Sequence, residues 1–124
     1  MIQVLHEDDS FRVEHNAPER IFRLARTSRP LADLAEVERA YTAIDKVLSG
    51  VPSESMLFFD LTQDPQGAGV VEQARDRLFA RFKRVAVLTK TAAGKEQVAG
   101  IIRGLPASVA AFDDEDQAFD HLYA

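Results

Sequence analysis

Met56-Leu57-Phe58-Phe59-Asp60-Leu61-Thr62 runs four apolar residues into an acid. A short continuous apolar run of this kind fits a β-strand covered on both faces. Val85-Ala86-Val87-Leu88 repeats the pattern. Between the two runs, Val71, Ala74, Leu78 and Phe82 recur at helical spacing and predict one buried helical stripe. Downstream, Val98, Ile101, Ile102 and Leu105 mark a third helix, Ser108 to Phe112 a last strand, and Ala118, Phe119 and Leu122 a last helix. Upstream, Leu34, Val37, Tyr41, Ile44 and Leu48 form a first helical stripe. Asp33 and Glu36 have capping-box-like spacing at its start, and Gly50 and Pro52 close it.

The N-terminal thirty residues alternate at period two instead. Ile2 and Val4 share a face, Phe11 and Val13 share one, and Phe22 and Leu24 share one. Glu7-Asp8-Asp9-Ser10 and Asn16-Ala17-Pro18 are the turns between them. The predicted order is β-β-β-α-β-α-β-α-β-α. That order implies an α/β fold with a mixed sheet of about six strands and helices packed on it. Residues 1–124 read as one domain, without internal repeat or linker.

Composition narrows the chemistry. The 124 residues carry 15 Lys+Arg against 20 Asp+Glu, a net charge of −5, and no Cys. Zero Cys excludes disulfides, thiolate metal sites and a Cys nucleophile. Mild acidity argues against a dedicated nucleic-acid binder. No basic, apolar leader and no membrane-length apolar run is present, so a cytoplasmic protein of bacterial style is expected. There is no nucleophile elbow and no dinucleotide fingerprint. His6 and His15 can be cross-strand neighbours in the first hairpin, either as a surface accident or as a weak metal pair.

In such sheets, ligand and partner sites gather at the carboxyl ends of the strands. Three loops are expected there: Asp60 to Gly69, Thr89 to Lys95, and Asp113 to Glu115. The first is long for a βα connection, and Gly67 and Gly69 stand just before the helix. It reads as a recognition loop or as a plain surface turn. Gly94-Lys95 has the end of a phosphate-loop motif, but Thr89 stands where the first glycine is required, and Thr91 reads as a helix N-cap. The acids Asp113 to Asp116 suit the positive end of the last helix. Charge is uneven along the chain: seven bases and one acid lie between Arg75 and Lys95, and five acids lie from Asp113 to Asp120. Such a basic arc can attract an acidic partner or simply be a solvated face.

The element order, with Asp60-Leu61-Thr62 ending a buried strand, resembles the STAS domain. That family comprises sulfate-transporter cytoplasmic domains and bacterial anti-sigma-factor antagonists. The resemblance implies a strand-end Asp-Leu-Ser-like motif, matched here by Asp60, Leu61 and Thr62. It also implies a following Asp-Ser-Ser-Gly-like motif whose Ser is phosphorylated by a partner kinase. Asp64-Pro65-Gln66-Gly67 lacks that hydroxyl, and no Ser, Thr or Tyr occurs from Gln63 to Leu88. Thr62 is the nearest substitute. A phospho-acceptor receiver shares an Asp at a strand end and Thr89-Lys90 after the next strand. It also requires an acidic pair after its first strand, and Glu7-Asp8-Asp9 falls instead in a hairpin turn.

The STAS resemblance implies a non-enzymatic regulatory or scaffolding module that binds another protein, without the standard phosphoswitch. Its expected partner face comprises Asp60, Thr62, Asp64, Gln66, Gly67, Gly69, Arg75, Arg77, Arg81 and Lys90. No cofactor, metal, nucleic acid or membrane span is expected. The alternative is a small-ligand or lipid-binding protein, or a small enzyme, working through Thr62, Asp64 and Lys90. Homodimerisation through an edge strand of the meander is a third expectation.

Overall fold

The computed structural model describes residues 2–31, 33–52, 54–64 and 68–124, with residues 68–70 described by backbone alone. The described chain runs β1 (Ile2–Glu7), β2 (Phe11–Asn16), β3 (Ile21–Arg26), α1 (Leu34–Val47), β4 (Met56–Asp60), α2 (Ala68–Arg77), β5 (Arg84–Leu88), α3 (Ala92–Ile101), β6 (Val109–Phe112) and α4 (Glu115–Tyr123). This is the α/β order expected from the sequence. One six-stranded sheet holds the strands in sequential order. β1, β2 and β3 pair antiparallel, and β3 to β6 pair parallel.

Sequential order has a geometric consequence. Parallel crossovers are right-handed as a rule, and these step the same way across the sheet, which accounts for α1, α2 and α3 sharing one face. Tyr41, Ile44 and Leu48 from the first helical segment, Val71, Ala74 and Leu78 from the second, and Val98 and Ile102 from the third share one core with Phe11, Val13, Phe22, Leu24, Leu57, Phe59, Val85 and Val87. The opposite face is left to α4. Its Ala118 and Leu122 pack on Ile21, Phe58, Ala86 and Leu88. β4 and β5 therefore bury both faces, which is why their sequences are continuous apolar runs rather than alternating ones.

The helix starts follow local chemistry. Asp33 accepts from the Glu36 amide at 2.9 Å, Thr91 from the Gly94 amide at 3.0 Å, and Asp114 from the Gln117 amide at 3.0 Å. Asp33 and Thr91 are the caps expected from the sequence, and within the acid run expected at the start of the last helix Asp114 is the cap. In the first turn, Asp8 accepts from the Ser10 and Phe11 amides at 2.7 and 2.8 Å.

Three sequence expectations are corrected. Leu34 does not join the α1 stripe: it is the first helical residue, turned away from the sheet, and 63% exposed. Phe82 does not lie on α2, which ends at Arg77 and tightens into a 3₁₀ turn at Phe79–Arg81. That tightening lets both aromatic rings reach the sheet, Phe79 edge-on to Phe59 at 6.3 Å and Phe82 edge-on to Phe22 at 6.1 Å. His6 and His15 are not cross-strand neighbours: His15 faces Gln3, and His6, beyond a register irregularity after Val4, faces Val13.

α4 lies over β4 to β6 and leaves the outer strands open on its side. Ile2 and Val4 on β1 are 60% and 45% exposed. On that same side, Arg12 is paired with Glu7 and with Glu14.

Leu34→Ala should change the unfolding free energy by less than about 0.5 kcal/mol. Ile44→Ala should cost about 2–5 kcal/mol. Urea unfolding of the two variants checks this contrast.

Candidate functional site

Period two along β4 turns Met56, Phe58 and Asp60 toward α4, and Leu57 and Phe59 toward α1. Asp60 thus ends the strand as an acid in a largely apolar layer, 9% exposed. Its carboxylate is fully occupied. One oxygen accepts from the Thr62 amide at 2.9 Å and from the Thr62 hydroxyl at 2.7 Å. The other accepts from the Arg23 guanidinium at 2.7 Å. Burial alone would raise the Asp60 pKa, but the two Thr62 bonds and Arg23 outweigh it and hold the group below its ordinary value. Arg23 also reaches Glu115 at the start of α4, at 3.4 Å, and lies 4.8 Å over the Phe58 ring.

Asp64 faces the other side of the sheet. Its side chain is fully buried and pairs with Arg26 at 3.4 Å. Arg26 ends β3 and is equally buried. The same guanidinium donates to the Ser10 carbonyl and, at 2.7 Å, to the Arg29 carbonyl, and it lies 5.1 Å over the Phe11 ring. One buried cation therefore ties together the β1–β2 turn, the segment after β3 and the loop after β4. Tyr41 of α1 lies within the field of Arg26 and Asp64. Its hydroxyl pKa is pushed well above the ordinary value, chiefly by burial.

The remaining residues of the expected face are placed unequally. Gly69 lies in the first turn of α2, whereas Gln66 and Gly67 lie outside the described residues. Arg77 pairs with Asp45 and Glu38 of α1 and lies 5.9 Å from the Tyr41 ring centre. Arg81 also meets Asp45, at 3.1 Å. Arg75 bonds Asp76 beside it and the Ile101 carbonyl of α3 at 3.1 Å. These three arginines therefore tie α2 and the turn after it to the neighbouring helices. Lys90, after β5, is exposed and makes no ion pair among the described residues. Thr89 beside it is buried and donates to the Thr91 carbonyl at 2.9 Å. A Cβ added at Gly94 would lie 3.2 Å from the Thr89 Cβ, so this glycine serves close packing at the start of α3. Among the described residues, no group of three or more His, Asp or Glu is placed to hold a metal ion.

Arg23 and Arg26 complete the site and were not anticipated, whereas Glu115 belongs to the third loop expected at this end of the sheet. For Arg26 a signal exists: period two from Phe22 and Leu24 puts residue 26 on the core face.

This architecture is the SpoIIAA-like fold, the fold of STAS-type anti-sigma-factor antagonists. The chain is similar to the crystal structure of an uncharacterized protein of the DUF3478 family, with a SpoIIAA-like fold, from Shewanella loihica PV-4. The TM-score is 0.58 at 15% sequence identity, over 98% of this chain and 92% of that one. No family model matches the chain, and no curated protein matches it. Among the described residues, no helix is long and apolar enough to cross a membrane.

Asp64→Ala leaves a buried guanidinium without its carboxylate and should cost about 3–5 kcal/mol, read by urea unfolding. Asp60→Asn tests the other pair. A carboxylate held below its unfolded pKa stabilises above that unfolded value, about 4, and loses the stabilisation as pH falls through the folded value. The stability gap between wild type and Asp60→Asn should therefore be full at neutral pH and close as pH drops below about 4.

Proposed function

We propose that residues 1–124 form one regulatory or scaffolding module that binds another protein and catalyses no reaction. The SpoIIAA-like fold supports this, since such folds commonly serve as protein-binding regulators. The observation that carries the choice of surface is the Asp60–Thr62 lock, which gives the start of the β4–α2 loop a defined shape at the carboxyl end of the sheet. Thr62, Gln66, Gly67 and Lys90 form the contacting part of the face, with Asp60 and Asp64 holding the loop from beneath. Arg75, Arg77 and Arg81 shape the surface by fixing α2 against its neighbours.

Control by phosphorylation of the loop is not the standard STAS arrangement. The Thr62 hydroxyl is committed to a carboxylate, and a phosphate there would stand against the Asp60 charge. Binding is therefore constitutive, or regulated on the partner's side. The module acts in the bacterial cytoplasm.

Quantitative affinity purification with wild type, Thr62→Ala and Lys90→Glu tests the surface. A specific partner should be retained by wild type and lost about tenfold with Lys90→Glu. Equal recovery of every captured protein by all three would remove this face from consideration.

A further inference from the structure

A cleft at the other end of the sheet, where β3 and β4 begin, has the makings of a ligand site. Its volume is about 420 Å³, and His15, Ala17, Arg20, Pro52, Glu54 and Ser55 line it. That is room for a small organic molecule. Three of its groups are unspent.

Arg20 closes the β2–β3 turn with φ at +58°, the one non-glycine residue at positive φ among those described. A side chain with a Cβ is disfavoured there, and glycine would be relaxed. Its carbonyl accepts from the Met56 amide at 2.8 Å, so the strained backbone is pinned to β4. Its exposed guanidinium makes no ion pair or hydrogen bond among the described residues.

Ser55 is 2% exposed. Its amide donates to the Pro52 carbonyl at 3.0 Å and its carbonyl accepts from the Lys83 amide at 2.8 Å. Its hydroxyl makes no hydrogen bond among the described residues and is not sealed from solvent, so it opens onto the cleft. The imidazole of His15 stacks flat on Phe22, 4.2 Å between centres and 10° between planes. That contact uses the ring face and leaves both ring nitrogens without a hydrogen bond among the described residues. The acid of the cleft, Glu54, is matched by Lys83 at 3.3 Å. The unmatched charge is thus the single positive charge of Arg20, beside a hydroxyl and an imidazole that can both donate.

We propose that this cleft binds a phosphate group, free or as the monoester of a small molecule, held by Arg20 and the Ser55 hydroxyl with His15 as a further donor. A guanidinium fork fits two phosphate oxygens at once, and a hydroxyl fits a third. The organic part of an ester would extend past His15 into the adjoining hollow of about 500 Å³ lined by Ile2, Gln3, His15, Ala17 and Pro18. The site is independent of the partner face, which lies at the opposite ends of the same strands.

The test is an amide-resolved NMR titration of the full chain with inorganic phosphate and with glycerol 3-phosphate, at constant pH and ionic strength, with acetate and chloride as controls. Saturable shifts at Arg20, Ser55 and His15 with the phosphate compounds are expected. Tighter binding of the ester assigns the hollow to its organic part, and equal binding assigns the site to free phosphate. Arg20→Gln should weaken binding at least about tenfold, and Ser55→Ala about threefold to tenfold. Arg20→Gly separates binding from folding: relief of the positive φ should raise the melting temperature while binding is lost. Shifts that do not saturate, shifts matched by chloride, or wild-type affinity in Arg20→Gly would overturn the proposal.

Discussion

Handedness of the parallel crossovers governs this molecule. β3, β4, β5 and β6 follow one another across the sheet without a reversal, so every crossover helix is sent to the same side. Three helices then cover the central part of one face. The other face would be bare under β4 to β6 without α4, whose Ala118 and Leu122 meet Phe58, Ala86 and Leu88. The sheet also has no switch point at which two crossovers diverge and open a crevice between them, the usual origin of a ligand site in doubly wound sheets. What the carboxyl end offers instead is a row of loops held in place from below.

Two arginines of one strand do the holding, and the pleat divides them. Arg23 faces α4 and takes Asp60 and Glu115; Arg26 faces α1 and takes Asp64. The loop after β4 is therefore gripped at Asp60 from one face of the sheet and at Asp64 from the other. The two grips differ in energetic character. Arg23 is partly exposed, and water screens its pairs. Arg26 and Asp64 are wholly buried, and breaking that pair leaves an uncompensated charge. The α1 side is the rigid anchor and the Asp60 side the adjustable one.

How much of this was legible depends on the range of the interaction. The core strands β4 and β5 were readable because burial on both faces imposes a purely local apolar run. The N-caps Asp33 and Thr91 were readable because a cap acts over three residues. The phase of β1 was not, since its irregularity near Leu5 has no signature in Val4-Leu5-His6 and sets His6 against Val13. Nor were the buried pairs. Arg26 meets an acid 38 residues on, and Arg77 meets acids 32 and 39 residues back. A basic arc that looks free along the chain is thus partly consumed by helix-to-helix pairing that only the fold brings about.

The same arithmetic of spent and unspent groups distinguishes the two ends of the sheet. At the carboxyl end, Asp60, Thr62, Asp64 and Thr89 all have partners, and Lys90, without an ion pair among the described residues, stands outward. Such an end presents a preformed surface, suited to a macromolecule that docks on shape. At the amino end, the Arg20 guanidinium, the Ser55 hydroxyl and the His15 ring nitrogens make no hydrogen bond among the described residues around a concavity, and Arg20 sits on a backbone that strains to hold it there. Groups bonded only to water in a hollow can exchange that water for the oxygens of a ligand. The two ends share β3 and β4, and Arg20 is joined to Met56 at one end of the strand pair while Arg23 joins Asp60 at the other. A ligand that steadied the Arg20 turn would therefore act on the same two strands that carry the loop after β4.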